Sequence, residues 1–138
     1  MIYKLLKANY VNKNGVSYSE ECIDKMIEQY KNKKFNVYCA DVDMSKFNEF
    51  DYRDTTIYGE ISNLRKEDDY LICDLKFDKD KLKNIYDKCY LDNNYLASPT
   101  YEDNIGEVNE CTIISYYFQE FNNEHKPASE FREVINLK

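Results

Sequence analysis

Residues 108–121 form the longest β-prone run in the chain, rich in Thr, Ile, Tyr and Phe, and no other feature constrains the fold as strongly. β-Branched and aromatic side chains suit the pleated, half-buried surface of a sheet, so the domain must be built around one. Shorter runs of the same character supply its partners. Residues 2–8 and 35–39 read as strands, and residues 56–64 and 70–77 flank the polar connector Arg65-Lys66-Glu67-Asp68-Asp69 as an antiparallel hairpin, with Leu71, Cys73, Leu75 and Phe77 on one face. Residues 95–101 follow Asp92-Asn93-Asn94, and Asp103-Asn104 makes a turn before the long run.

Two stretches carry helical spacing instead. Ser17-Tyr18-Ser19-Glu20 matches the S-x-x-E capping box, after which Cys22, Ile23, Met26, Ile27 and Tyr30 share one helical face, which predicts a helix over residues 19–31. Leu82, Ile85, Tyr86 and Cys89 recur at i, i+3, i+4 and i+7, with Asp78 or Asp80 as the cap of a second helix. Asn12-Lys13-Asn14-Gly15 is a turn. The predicted order is β-α-β-β-β-α-β-β, an α+β domain with a mostly antiparallel, curved sheet or small barrel and two helices. Residues 1–128 make this single domain. Residues 129–138 form a C-terminal tail or short amphipathic helix whose Phe131, Val134, Ile135 and Leu137 dock elsewhere.

Composition bounds the function. The 138 residues suffice for one core, and 43% hydrophobic residues, including 14 Tyr and 7 Phe, are too many for a disordered chain. A net charge of -7 disfavours nucleic acid and anionic membranes as partners. Only 3 Gly and 2 Pro occur, without a P-loop or G-x-G-x-x-G, so no nucleotide cofactor is expected. Cys22, Cys39, Cys73, Cys89 and Cys111 form no CxxC pair and the single histidine is His125. Reduced core thiols are therefore expected, and no metal. No run of some 18 apolar residues marks a membrane span, and nothing resembles a signal peptide. The acidic stretch 41–54, with Asp41, Asp43, Glu49, Asp51 and Asp54, reads as a long solvated loop.

Several strings, in this order, resemble the head-maturation (prohead) proteases of tailed bacteriophages, a family related in fold to herpesvirus assemblin. Asn12-Lys13-Asn14-Gly15-Val16-Ser17-Tyr18 is similar to the family's opening N-x-N-G-x-x-Y, and Tyr58-Gly59-Glu60-Ile61 with residues 69–75 is similar to its G-x-I hairpin. Tyr95-Leu96-Ala97-Ser98-Pro99-Thr100-Tyr101 resembles the segment bearing the nucleophilic serine, and residues 118–128, ending Lys126-Pro127-Ala128, resemble the closing strand. The likeness covers residues 9–128. It implies Ser98 as nucleophile and a histidine in a stretch resembling E-x-D-H-P. Here that stretch reads Ala40-Asp41-Val42-Asp43-Met44-Ser45, with no histidine.

A serine hydroxyl needs an imidazole or comparable base to attack at neutral pH. Asp41 and Asp43 are weak bases, roughly two pKa units below histidine, and the likeness places His125 beyond the last strand. The expectation is therefore a catalytically inactive, prohead-protease-like protein that binds other proteins, as a head component or assembly factor. One alternative is an active maturation serine protease using Ser98, with Asp41, Asp43 or His125 as partner; another is a phage inhibitor of a host defence protein. Expected partners are capsid or other virion proteins, or a host protein, in the host cytoplasm or the virion, with homo-oligomers allowed. The abundant tyrosines exceed the needs of a small core, which predicts contacts through Tyr95, Tyr101, Tyr116, Phe131, Val134 and Leu137.

Overall fold

A computed structural model describes residues 1–40 and 56–138. The acidic stretch 41–54, including Asp41 and Asp43, lies outside the described residues. Strands β1 (Ile2–Lys7) and β2 (Val16–Tyr18) precede helix α1 (Glu20–Gln29), followed by β3 (Phe35–Cys39), β4 (Gly59–Glu67) and β5 (Tyr70–Phe77). After the single-turn helix α2 (Lys79–Leu82) come β6 (Lys88–Ala97), β7 (Thr100–Glu102), β8 (Ile105–Val108), β9 (Cys111–Glu120) and β10 (Ile135–Asn136). Seven strands form one curled sheet in the order β1-β5-β4-β3-β9-β6-β10, in which only β3 and β9 run parallel. The α+β class with a curved, mostly antiparallel sheet is thus as expected, and the long run supplies an interior strand.

The curl brings the sheet's ends together, and side chains close the gap. β1 is an edge strand, and β6 is paired on its outer side only near Lys88 and Cys89, by β10. Tyr3 on β1 donates its hydroxyl to Glu133 O at 2.8 Å and accepts from Leu91 N of β6 at 3.1 Å. The pairing of β1 with β5 slips between Lys4 and Leu6, a bulge that takes Leu5 out of the ladder. Arg132 fills the gap: Nε and Nη2 donate to Leu5 O at 3.1 and 2.8 Å, and Nη1 donates to Leu91 O at 2.8 Å. Buried carbonyls must find donors, and here a guanidinium from the C-terminal segment serves both edges.

Helix α1 follows its predicted stripe, burying Cys22, Ile23 and Met26. Its cap is Ser19, whose Oγ accepts from Cys22 N at 3.1 Å, so the predicted capping box starting at Ser17 does not form. Ser17 is instead in β2, opposite Glu107. The hairpin β4–β5 forms, though β4 runs on through Glu67 and the reversal falls at Asp68, which has a φ of 53°.

Three other expectations are corrected. The second helix stops after one turn, capped by Asp78, whose side chain accepts from Lys81 N at 3.1 Å. Ile85 is exposed while Cys89 lies in β6, because nine residue pairs with β9 outweigh extension of a short helix. The strand expected at residues 95–101 is shifted: Asp92-Asn93-Asn94 already lie in the middle of β6, which ends at Ala97, and Asn93 Oδ1 accepts from Arg132. The 108–121 run divides: Val108 ends β8 in a separate three-stranded sheet, β2-β8-β7, and β9 begins at Cys111. The Asp103-Asn104 turn joins β7 to β8 with both residues at positive φ, as expected.

The tail forms no helix. Ile135 and Asn136 add to β6 as β10, Leu137 N donates to Asp87 O at 3.0 Å, and Ile135 and Leu137 are buried in the domain's own core.

Candidate functional site

Ser98 follows β6 and precedes β7, with its side chain exposed. It borders a shallow surface cleft of about 370 Å³ shared with Gln29, Asn109, Glu110, Cys111 and Thr112. His125 lies past the other end of β9, in a turn where Asn122 Oδ1 accepts from His125 N at 2.7 Å and Phe121 N donates to Lys88 O at 3.0 Å. The β6–β9 ladder runs unbroken in direction from Ala97 opposite Cys111 to Cys89 opposite Glu120. At ~3.3 Å per residue, its two ends stand roughly 30 Å apart. The imidazole is thus an order of magnitude beyond hydrogen-bond reach of the hydroxyl. Asp41 and Asp43 fall outside the described residues.

The tyrosines meet inside the domain. Tyr95 and Tyr116, on neighbouring strands, share a hydroxyl–hydroxyl hydrogen bond of 2.6 Å, and their rings stand edge to face at 5.7 Å. Tyr18 packs on Tyr95, while Phe35 links Tyr116 to Tyr30, whose hydroxyl accepts from Ile113 N at 2.9 Å. Burial pushes the phenols of Tyr95 and Tyr116 well above their ordinary range and that of Tyr18 up to about 12. All three are neutral at physiological pH and hold packing in register. Tyr86 likewise donates to Phe118 O.

For Tyr3, Tyr30, Tyr86, Tyr95 and Tyr116 the choice of tyrosine has a structural cause: each hydroxyl reaches a backbone amide or carbonyl, or another hydroxyl, that an apolar ring would leave unmet. Of the six predicted contact residues, Tyr116 and Leu137 are buried in this chain's own core, which corrects their assignment to a surface. Tyr95 and Val134 are partly covered. Phe131 packs edge-on against Tyr10 and Tyr70 at 5.3 and 5.5 Å. Tyr101 is exposed at 64%.

A second cleft, of about 430 Å³, opens beside the seam and is lined by Asn12, Lys13, Tyr18, Asp92, Lys126 and Arg132, among others. Its charge suggests anion capture, but the guanidinium is already committed. Besides the Leu5 and Leu91 carbonyls it donates to Asn93 Oδ1, and Asp92 Oδ1 stands 3.5 Å from Nη1. Arg132 is therefore a latch between strands. The sequence reading missed it because nothing local distinguishes a buried arginine from a solvated one in a polar tail.

All five cysteines are buried and unbridged. Among the described residues, no three His, Cys, Asp or Glu side chains are grouped to hold a metal, and no helix is long and apolar enough to cross a membrane. Comparison with protein-family models, with curated proteins and with solved structures finds no match.

Proposed function

We propose that this chain is a catalytically inactive, prohead-protease-like phage protein that works by binding other proteins, as a head component or assembly factor. The observation that carries this reading is the separation of Ser98 from His125 at opposite ends of the β6–β9 ladder. The curled, mostly antiparallel sheet is compatible with the architecture that the sequence resemblance implies. Support for binding comes from the end of the fold where Ser98 lies. Leu96 and Ile114, on adjacent strands of the large sheet, and Tyr101 and Ile105, in the small one, are 44–65% exposed. Large apolar side chains left in water are what a protein partner covers.

The test is incubation of the purified chain with the major capsid and scaffold proteins of its phage, followed by sedimentation and gel analysis. The expected result is co-sedimentation with at least one head protein, without cleavage, weakened in a Leu96→Asp, Ile114→Asp double variant that keeps its circular dichroism. Specific cleavage that disappears in Ser98→Ala would overturn the inactive reading. Absence of any association would overturn the role in the head.

A further inference from the structure

Cys22 lies in the first turn of α1, and Cys111 opens β9. They are 89 residues apart in sequence, yet their Sγ atoms are 3.8 Å apart in the buried interior. Met26, one turn further along α1, brings its Sδ to 3.3 Å from Cys111 Sγ. Both cysteines are held on regular elements: Cys22 N is bound by the Ser19 cap at 3.1 Å, and Cys111 is paired opposite Ala97. Cys111 also lines the shallow cleft beside Ser98 and Thr112, so a small solute in that cleft meets Cys111, with Cys22 buried directly behind it.

We propose that Cys22 and Cys111 are a peroxide-oxidisable dithiol that closes into a disulfide joining α1 to β9. Cys22 is the attacking sulfur. The hydrogen bond that Cys22 Sγ shares with Cys111 Sγ holds the Cys22 thiol below its ordinary range, and the amino-terminal turn of a helix favours a thiolate. The Cys22 thiolate attacks one oxygen of hydrogen peroxide and the O–O bond breaks. Cys22 becomes a sulfenic acid, and the departing hydroxide takes up a proton to become water. The Cys111 sulfur then displaces the sulfenic hydroxyl, which leaves as a second water with the Cys111 proton. Two thiols are oxidised and one peroxide is reduced. To reach a bond of ~2.05 Å, each sulfur moves by about 0.9 Å, within the reach of a side-chain rotation. Cys73 and Cys89 differ: burial pushes their thiols up to about 12, so they stay protonated and unreactive.

The native protein is treated with hydrogen peroxide, quenched, denatured, alkylated and digested without reductant. The expected result is one cross-linked peptide pair containing Cys22 and Cys111, two hydrogens lighter than the sum of its parts, with Cys39, Cys73 and Cys89 alkylated. The melting temperature should rise by roughly 10 °C, because a long loop is closed, and fall back on reduction. Five alkylated thiols after treatment would overturn the proposal. So would Met26 sulfoxide or a single over-oxidised cysteine without the cross-link, or loss of two thiols persisting in Cys22→Ser. The principal readout is on the unmodified chain, so it does not depend on the variant folding.

Discussion

Arg132→Met removes the guanidinium that bridges β1 and β6 while keeping most of the side chain's length and volume, so it isolates the seam from simple loss of packing. The wild-type side chain is 7% exposed and donates to Leu5 O twice, to Leu91 O and to Asn93 Oδ1. Methionine leaves two buried carbonyls without these donors, at ~1–3 kcal/mol each. The desolvation cost of a buried charge disappears with it and offsets part of that loss. A net destabilisation of about 3 kcal/mol is expected from these terms.

Unfolding entropy of ~2.1 cal/mol/K per residue over this chain gives ~0.29 kcal/mol/K, so the melting temperature should fall by about 10 °C. Urea unfolding followed by circular dichroism measures the free energy, and thermal melting gives an independent check. Arg132→Lys should recover little, since one ammonium does not reproduce a planar fork reaching two strands. A loss below ~1 kcal/mol for Arg132→Met would refute the reasoning: it would mean that water serves the bulge carbonyl as well as the guanidinium does.

Alkaline titration tests the buried phenols. Tyr3, Tyr95 and Tyr116 are raised above the ordinary tyrosine value chiefly by burial. Their contribution is complete below about pH 10 and is lost as pH rises above it, because the unfolded chain releases protons that the native one retains, at ~1.4 kcal/mol per pH unit for each group. Tyrosinate absorbance should therefore rise in two steps, the later one coincident with loss of circular dichroism; a single reversible step without unfolding would contradict this. Gly59→Ala is expected to cost ~1–3 kcal/mol in urea unfolding. A Cβ there would lie 2.6 Å from Lys76 O in the neighbouring strand, and backbone cannot yield cheaply. A neutral result would show that β4 and β5 can separate at that point.

Local chemistry alone determined much of this protein. The stripe from Cys22 to Tyr30 made a helix, residues 35–39 a strand, residues 70–77 the return arm of a hairpin, and Asp103-Asn104 the turn between β7 and β8, because periodicity and turn preference act over a few residues. The α+β class and the curved antiparallel sheet followed from the order of those pieces. Tertiary structure decided the places where a local preference was outbid. The helical stripe begun at Leu82 stopped after one turn and its last member, Cys89, joined a strand, and Asp92-Asn93-Asn94 stayed extended where Arg132 could use its polar groups. The apolar tail became a strand on its own domain.

The site depended on contacts no window of sequence contains. Ser98 and His125 are 27 positions apart in the chain, yet the ladder between them drives them to opposite ends of the sheet. Cys22 and Cys111, far apart in sequence, meet sulfur to sulfur. Tyr3 and Arg132, at the two ends of the chain, meet because a bulge and a strand edge each need a hydrogen-bond partner, and only the curl of the finished sheet brings those needs together.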